Sequence, residues 1–265
     1  ILSFTARCCG YIVMVTTQAR LDARVRPSTI VVGHQRWTDL LFLHWQIDPM
    51  IIQATLPKSL TVDTHEGAAY LGIVPFFMQR VRPRWLPPLP WLSWFLELNV
   101  RTYVHDEEGR PGVWFYSLDC NQPLAVWLAR KTFHLPYFHA AMAATQNAER
   151  IDYCSQRKSS PEPRADYAWQ AHGSAREAAV GTLEFFLVER YYLFAQKVGG
   201  QTKAGQVHHT PYRIRDARVF AHSIVPAQQA GFALGGDPVS VLCADVVDVS
   251  VYRLQSIGGA TGKSD

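Results

Sequence analysis

Two long β-prone runs on either side of a turn dominate the middle of this 265-residue chain. Both runs lie within residues 96–120 (LELNVRTYVHDEEGRPGVWFYSLDC), and the charged, glycine-containing stretch 106–112 separates them. Runs rich in β-branched and aromatic residues around such a turn are typical of a β-hairpin. Similar runs predict further strands in 67–81, 150–158, 165–173 and 238–254.

Helical patterns are confined to a few segments. Asp48 can cap a helix with Pro49 in its first position, and Asn121 can cap a second one. A third helix is expected after Thr182 and as far as Gln196. Many strands with two or three helices predict a mainly β, α+β domain whose sheets curl around an interior. The apolar stripe of the second helix consists of Leu124, Trp127 and Leu128 and ends at Lys131.

Composition favours one globular domain over a nucleic-acid or membrane protein. Hydrophobic residues make up 48% of the chain and charged residues 18%, and the net charge is a mild +4. Lys and Arg form no dense stripe, so we expect no nucleic-acid partner, and no apolar run is long enough for membrane insertion. We expect residues 14–254 to form a single domain. Residues 1–13 would be a non-native or disordered extension upstream of Met14, and 255–265 a flexible tail.

The five cysteines give no sign of a disulfide framework. They are scattered without a C-x-x-C spacing, and an odd number leaves at least one thiol unpaired. Cys120 and Cys154 fit buried positions in strands. A cytoplasmic location is therefore expected.

Common catalytic and metal-binding motifs do not occur in the sequence. His65 lacks the second histidine of a zinc-protease helix, and His208 and His209 are neighbours that would face opposite sides of a strand. The chain also has neither a G-x-S-x-G elbow nor a Gly-rich phosphate loop. We therefore expect no metal and no cofactor.

Segment 82–95 (RPRWLPPLPWLSWF) is too rich in proline for a regular element and is predicted to be a loop. Its tryptophans can fold back and cover the mouth of the domain, which is the placement we expect. The alternative is an exposed loop that touches a membrane or a partner.

Glu97, Asn99 and Arg101 fall on one face of the first hairpin strand because they alternate along it. If this row faces inward, it lines a pocket with opposite charges that must be paired when buried. If it faces outward, it is an ordinary solvent-exposed row. The residues alone leave both placements open.

Longer segments allow a comparison with a known family. LLFLHWQIDP, AYLGIVPFFM, ELNVRTYV, RPGVWFYSLD, LAVWLARKTFHLPYFHA, LEFFLVERYYLF and VHHTP occur in this order. Together they strongly resemble the YqjF-like family of uncharacterised bacterial proteins over residues 32–253. That family is similar in turn to acetoacetate decarboxylase, which implies a β-barrel-like fold with an enclosed pocket. The family has no established reaction.

The distant resemblance focuses attention on residues 129–142 (ARKTFHLPYFHAAM). Acetoacetate decarboxylases form a Schiff base through a lysine in a pattern like Arg-x-x-x-Gly-Phe-Pro-Lys-Lys. Here Arg130 and Pro136 are similar to that arginine and proline, so Tyr137 and Phe138 stand in the place of the lysines. The resemblance thus implies a retained scaffold without the Schiff-base lysine.

Two further residues enter through the resemblance. Glu97 resembles a glutamate of the decarboxylase pocket. Lys131 is a poor substitute for the lost lysine, because it lies on the second helix, where a lysine commonly sits beside terminal carbonyls.

These observations predict a protein that binds a small organic molecule, with an anion as the favoured case. Arg130 would hold a carboxylate, or else only tie the second helix to Glu97. Tyr137 would form a hydrogen bond where the lysine stood. The alternative is a lyase, isomerase or hydrolase that acts on a small organic acid through Tyr137 and Glu97, so whether the chain is an enzyme stays open, as does a homo-oligomeric state. The predicted pocket residues are Arg130, Tyr137, Glu97, Arg101, His44, Trp45 and His134.

Overall fold

Long strands, nearly all in antiparallel pairs, form the framework of the protein. The computed structural model describes residues 15–160, 162–197 and 199–257. The predicted extension at 1–13, Met14 and residues 258–265 lie outside these residues. The described strands are β1 (Val31–Ile47), β2 (Leu60–Val62), β3 (Ala69–Pro83), β4 (Phe95–Asp106), β5 (Pro111–Cys120), β6 (Tyr137–Asn147), β7 (Arg150–Arg157), β8 (Ala165–Arg176), β9 (Tyr192–Gln196), β10 (Thr202–His208), β11 (Ile214–Ala221), β12 (Ser240–Tyr252) and β13 (Gln255–Ser256).

All of these strands belong to one curved sheet, with the order β13-β10-β9-β5-β6-β7-β8-β11-β12-β1-β3-β4-β2. The only parallel pairings among the described strands are those of β5 with β6 and of β5 with β9. Two more pairings, β4 with β5 and β10 with β12, connect strands that are far apart in this order. The sheet therefore bends back on itself. The described helices are short: α1 (Thr17–Asp22), α2 (Pro49–Gln53), α3 (Pro123–Thr132), α4 (Leu183–Val188) and α5 (Val225–Gln229).

The sheet buries apolar side chains on both of its faces. Successive residues of a strand point to opposite faces, so β1 contributes Phe42 to one core and Leu43 to another. The first core also contains Tyr103 and the apolar residues of α4. The second core contains Trp169 of β8. Both faces of the central strands are therefore covered.

The predicted hairpin and the first predicted helix are confirmed. Strands β4 and β5 pair antiparallel on either side of the turn at 107–110. At the start of α2, the backbone NH of Met50 donates to Oδ1 of Asp48 at 2.8 Å, and Pro49 occupies the first turn. A mainly β architecture with few helices is also confirmed.

The second predicted helix exists but differs from expectation at its cap and on its apolar side. Gln122, not Asn121, caps α3 through its side chain, and Oδ1 of Asn121 instead accepts from the backbone NH of Leu96 at 2.8 Å. The predicted apolar stripe is exposed, with Trp127 at 57%. Only Val126 of α3 is buried.

The third predicted helix is wrong beyond Val188. The chain leaves the helical conformation at Glu189 (φ −85°, ψ 77°), and the following aromatic run becomes β9. Directly after the break, Nη1 of Arg190 donates to Oδ2 of Asp63 at 2.6 Å in a buried ion pair.

Two segments predicted as loop or tail also differ from expectation. The tryptophans of loop 84–94 do not fold back over the domain: Trp85 is 78% and Trp91 72% exposed. Residues 255–257 were predicted to belong to a flexible tail, but Gln255–Ser256 pairs with β10 and Ile257 is buried. Among the described helices, none has the length and apolar character needed to cross a membrane.

Candidate functional site

A row of polar side chains on β4 faces the first core. Glu97, Asn99 and Arg101 are all buried, at 4%, 5% and 8% exposure. The inward placement of the row is therefore the one that the protein adopts. Glu97 and Arg101 do not pair with each other, since four residues along a strand separate their backbones by about 13 Å. Each has its own surroundings.

Glu97 is bound by a tyrosine from two strands away. Its backbone pairs with Cys120 of β5, and Leu118, two residues earlier on β5, pairs with Tyr137 at the start of β6. The Tyr137 hydroxyl donates to Oε2 of Glu97 at 2.8 Å. Burial raises the pKa of Glu97 to about 7, although this hydrogen bond opposes the increase. The carboxyl group therefore titrates near neutral pH.

Tyr137 and Cys120 keep their protons beside this carboxyl group. Burial and the nearby Glu97 raise the pKa of Tyr137 well above its usual value of 10. The same two causes raise the pKa of Cys120. The site around Glu97 thus holds one group that titrates near neutrality and two neutral donors.

Arg101 is a buried cation without a counter-charge among the described residues. No carboxylate lies within ion-pair distance of it in the described chain. Its Nη2 donates to the carbonyl of Leu187 at 3.3 Å, while its Nε has no hydrogen-bond partner there. The guanidinium group lies over the rings of Phe42 and Tyr103, with its Cζ 5.5 and 5.7 Å from their centroids.

A glycine brings His44 close to Arg101. Gly72 of β3 pairs with His44 of β1 on one side and with Arg101 of β4 on the other. A Cβ atom at position 72 would lie 3.1 Å from Cδ2 of His44 and 3.5 Å from Cγ of Arg101. Because Gly72 has no side chain, the side chains of His44 and Arg101 can fill the space beside it from opposite sides.

His44 is neutral in this position. Its Nε2 lies 2.6 Å from the Tyr103 hydroxyl, and its Nδ1 is buried without a partner among the described atoms. Burial, with the Arg101 charge as a second cause, holds its pKa well below 6.5. An uncharged imidazole can both donate and accept a hydrogen bond.

Tyr103 and His209 belong to the site, although sequence reasoning did not predict either residue there. His209, buried at 2%, stacks on Tyr191 at 4.6 Å and packs against Tyr212 at 4.7 Å. Burial lowers the pKa of His209 to about 4, and Arg101 contributes to this. Its Nε2 and Oδ1 of Asn99 are also buried without partners in the described structure. The sequence analysis treats the adjacent histidines of VHHTP only as possible metal ligands, so it does not predict that His209 is a buried member of this site.

Three of the predicted pocket residues lie elsewhere. Arg130 is exposed, and its Nε donates to the Tyr137 carbonyl at 2.6 Å, so it fixes α3 to β6 and does not enter the first core. Trp45 is in the second core, where its Nε1 donates to the Gly236 carbonyl at 3.2 Å. His134 is half-buried in the turn after α3, with φ +55°. The predictions for these three are therefore corrected.

No lysine of the described chain is buried, and Lys131 is exposed. The described residues also contain no cluster of three potential metal-binding side chains.

We name the arrangement of Glu97, Asn99, Arg101, His44, Tyr103, Tyr137 and His209 the polar cluster. A separate apolar cavity of about 570 Å³ lies between loop 84–94 and α3, and neither Glu97 nor Arg101 lines it.

Comparisons with known proteins identify the family. The model of the DUF2071 family, described as an uncharacterized conserved protein, matches residues 34–248. The chain belongs to this family. Its relatives include the uncharacterized protein YqjF of Bacillus subtilis (strain 168), which is 38% identical over 191 residues, or 72% of this chain and 78% of that protein. The predicted YqjF-like family is confirmed.

Solved structures place this DUF2071 member among acetoacetate decarboxylase-like folds. The enduracididine biosynthesis enzyme MppR complexed with pyruvate has a TM-score of 0.60 and 12% identity, covering 87% of this chain and 92% of MppR. Acetoacetate decarboxylase from Legionella pneumophila has a TM-score of 0.59 and 12% identity, covering 89% and 91%. The predicted acetoacetate decarboxylase-like fold is therefore confirmed.

Proposed function

We propose that this protein binds a small organic acid at the polar cluster and that Arg101 holds its carboxylate. The buried, uncompensated guanidinium group of Arg101 carries this proposal. Burying a charge without a counter-charge costs several kcal/mol, and an anion paired in good geometry offsets that cost. A carboxylate is a suitable partner because its two oxygens match the planar fork of a guanidinium group.

The neighbours of Arg101 suit the remainder of an oxo or hydroxy acid. Oδ1 of Asn99, Nδ1 of His44 and Nε2 of His209 are buried without partners in the described structure. Buried polar atoms are normally hydrogen-bonded, so these three atoms are available to a ligand. The structure of MppR with pyruvate supports this choice of ligand class, since it has a similar fold.

The ligand would be held without a covalent bond to the protein. Tyr137 and Phe138 occupy the place that the resemblance gives to the lysines, and neither a phenol nor a phenyl group can form a Schiff base. The side chain of Lys131 is exposed on α3. The free state of Cys120, Cys154 and Cys243 supports a reducing, cytoplasmic setting for this activity.

An enzymatic role for the same cluster is the second candidate. Glu97, with a pKa raised to about 7, can accept and donate a proton at neutral pH. Its hydrogen bond to Tyr137 would make the pair the acid and base of a lyase, isomerase or hydrolase. An enzyme assay with oxo and hydroxy acids distinguishes this candidate from simple binding. If the protein is an enzyme, Glu97→Gln should abolish turnover and retain ligand binding.

Calorimetric titration with pyruvate and related short oxo and hydroxy acids tests the proposal. We expect Arg101→Met to weaken binding by more than about tenfold, because it removes a charge-assisted bond. Arg218→Met is the matched control, since Arg218 is exposed on β11 outside the polar cluster, and it should bind as the wild type does. Arg101→Lys keeps the charge without the fork and should bind with intermediate affinity. Equal affinity of the wild type and a folded Arg101→Met variant contradicts the proposal.

A further inference from the structure

An exposed apolar patch covers loop 84–94 and the outer side of α3. Trp85 is 78%, Trp91 72% and Trp127 57% exposed. Large side chains of this kind rarely gather on the open surface of a protein without a binding role. The complete set, which we name the tryptophan patch, is Trp85, Leu86, Leu89, Trp91, Trp94, Leu124, Trp127 and Leu128.

The loop and the helix form one continuous surface. Nε2 of Gln122, at the start of α3, donates to the Trp91 carbonyl at 3.1 Å and fixes the loop to the helix. The apolar cavity of about 570 Å³ lies between them and is lined by Leu89 from the loop and Leu128 from the helix. The patch therefore combines exposed rings with an apolar cleft.

The charges around the patch are positive. Arg80, Arg82 and Arg84 precede or begin the loop, and Arg130 and Lys131 end α3. Residues 80–95 and 121–142 contain no Asp or Glu. Asp248 lines a neighbouring cavity beside these arginines, but its carboxylate is paired with Arg36 at 2.8 Å.

We propose that the tryptophan patch docks the protein on the surface of an anionic lipid bilayer. Tryptophan prefers the interface between membrane and water, where its ring is buried and its NH remains near polar groups. Clustered Lys and Arg are attracted to anionic headgroups at the same depth. The protein would lie on the bilayer without crossing it.

The charge distribution favours this occupant over a second copy of the chain. In a two-fold symmetric contact, the same surface meets itself. Such a contact through the patch would place the Arg84 and Lys131 side chains of one copy near those of the other. A bilayer with anionic headgroups provides the opposite charge across the whole surface.

Co-sedimentation with vesicles tests the proposal on the full chain. We expect binding to an equimolar mixture of phosphatidylglycerol and phosphatidylcholine, and at least about tenfold weaker binding to pure phosphatidylcholine at low ionic strength. Two double variants, Trp91→Ala with Trp127→Ala and Arg84→Glu with Lys131→Glu, should each lower the partition coefficient by more than about tenfold. All four side chains are exposed, so the variants should fold.

Matched controls lie outside the patch. Phe220→Ala removes an exposed aromatic ring and Arg218→Glu reverses an exposed charge, both on β11, and each should bind vesicles as the wild type does. Failure of the wild type to sediment with the anionic vesicles overturns the proposal, as does equal sedimentation of the patch variants. Sedimentation velocity is run in parallel. If the wild type forms an oligomer that the patch variants lose, and the wild type does not bind vesicles, the patch is a contact between copies of the chain. This outcome would also overturn the proposal.

Discussion

The hydroxyl of Tyr137 lies 2.8 Å from Oε2 of Glu97, although β5 separates the strands on which the two residues sit. No cation is paired with this carboxyl group among the described residues, so the phenol is its hydrogen-bonding partner there. The bond favours the charged form of Glu97, whereas burial favours the neutral form. Substitution of either residue therefore has a defined effect on proton binding.

Tyr137→Phe should raise the pKa of Glu97 above the present value of about 7, because it removes the one interaction that lowers that pKa. Carbon-13 NMR of the glutamate carboxyl groups during a pH titration measures this. We also expect a loss of about 1–2 kcal/mol in the free energy of unfolding above pH 7, where the carboxylate would be left without its donor. Tyr116→Phe is the matched control, since its hydroxyl bonds to Thr55 and not to Glu97. An unchanged pKa in Tyr137→Phe contradicts the assignment.

Glu97→Gln should remove a pH dependence of stability. The pKa of Glu97 is about 7 in the folded chain against 4.5 for an ordinary glutamate. Between these values the folded state keeps a proton that the unfolded state releases, so this group lowers the free energy of unfolding as pH rises from 4.5 to 7. The stability of Glu97→Gln relative to the wild type should therefore increase by about 3 kcal/mol across this window. Urea unfolding at a series of pH values measures the difference.

The difference between the two proteins is the informative quantity, because His209 titrates in the opposite sense. Its folded pKa of about 4 lies below 6.5, so its contribution to stability is lost as pH falls through this range. Both proteins share that contribution, and it cancels in the comparison. A constant stability difference from acid to neutral pH would mean that Glu97 does not bind a proton as described.

Gly72→Ala should destabilise the protein by about 1–3 kcal/mol and weaken carboxylate binding, because the new methyl group would push His44 away from its place beside Arg101. Gly235→Ala is the matched control, since a Cβ atom there has no neighbour within 4 Å. Unfolding and calorimetric titration are measured on both. If Gly72→Ala has the same free energy of unfolding and the same ligand affinity as the wild type, the sheet accommodates a side chain at this position and the prediction is wrong.

Borohydride reduction in the presence of pyruvate should leave the intact mass of the protein unchanged. Covalent trapping requires an amine in the binding site, and the described lysines are all at least partly exposed. If an adduct forms, Lys131→Ala and Lys203→Ala locate it. An adduct that either substitution prevents contradicts the proposal of non-covalent binding.

Local patterns were sufficient for the hairpin and for the start of α2. The turn at 107–110 and the Asp48–Pro49 pair act through neighbours in the chain, and sequence spacing captures such effects. The third predicted helix is wrong beyond Val188, where Arg190 bonds to Asp63, a residue far away in the sequence that local spacing does not reveal. The exposed side of α3 shows the same limit, since an apolar stripe indicates that a partner is needed but not where it lies.

The polar cluster was predicted in part for the same reason. Alternation along β4 grouped Glu97 with Arg101, and the family resemblance drew attention to Tyr137. Arg130 was misplaced because the resemblance could not show that its side chain turns outward, toward the Tyr137 carbonyl. His209 directly follows β10, which pairs with the distant strand β12, and no local pattern records this pairing.

Strand β1 supplies both cores at once, with Phe42 and His44 on one side and Leu43 and Trp45 on the other. A single inserted or deleted codon within β1 would turn each side chain in the affected part of the strand to the opposite face of the sheet. An imidazole would then lie among apolar side chains, and a leucine would lie beside a guanidinium group. Length changes among relatives should therefore be absent from this strand and concentrated in the connections outside it.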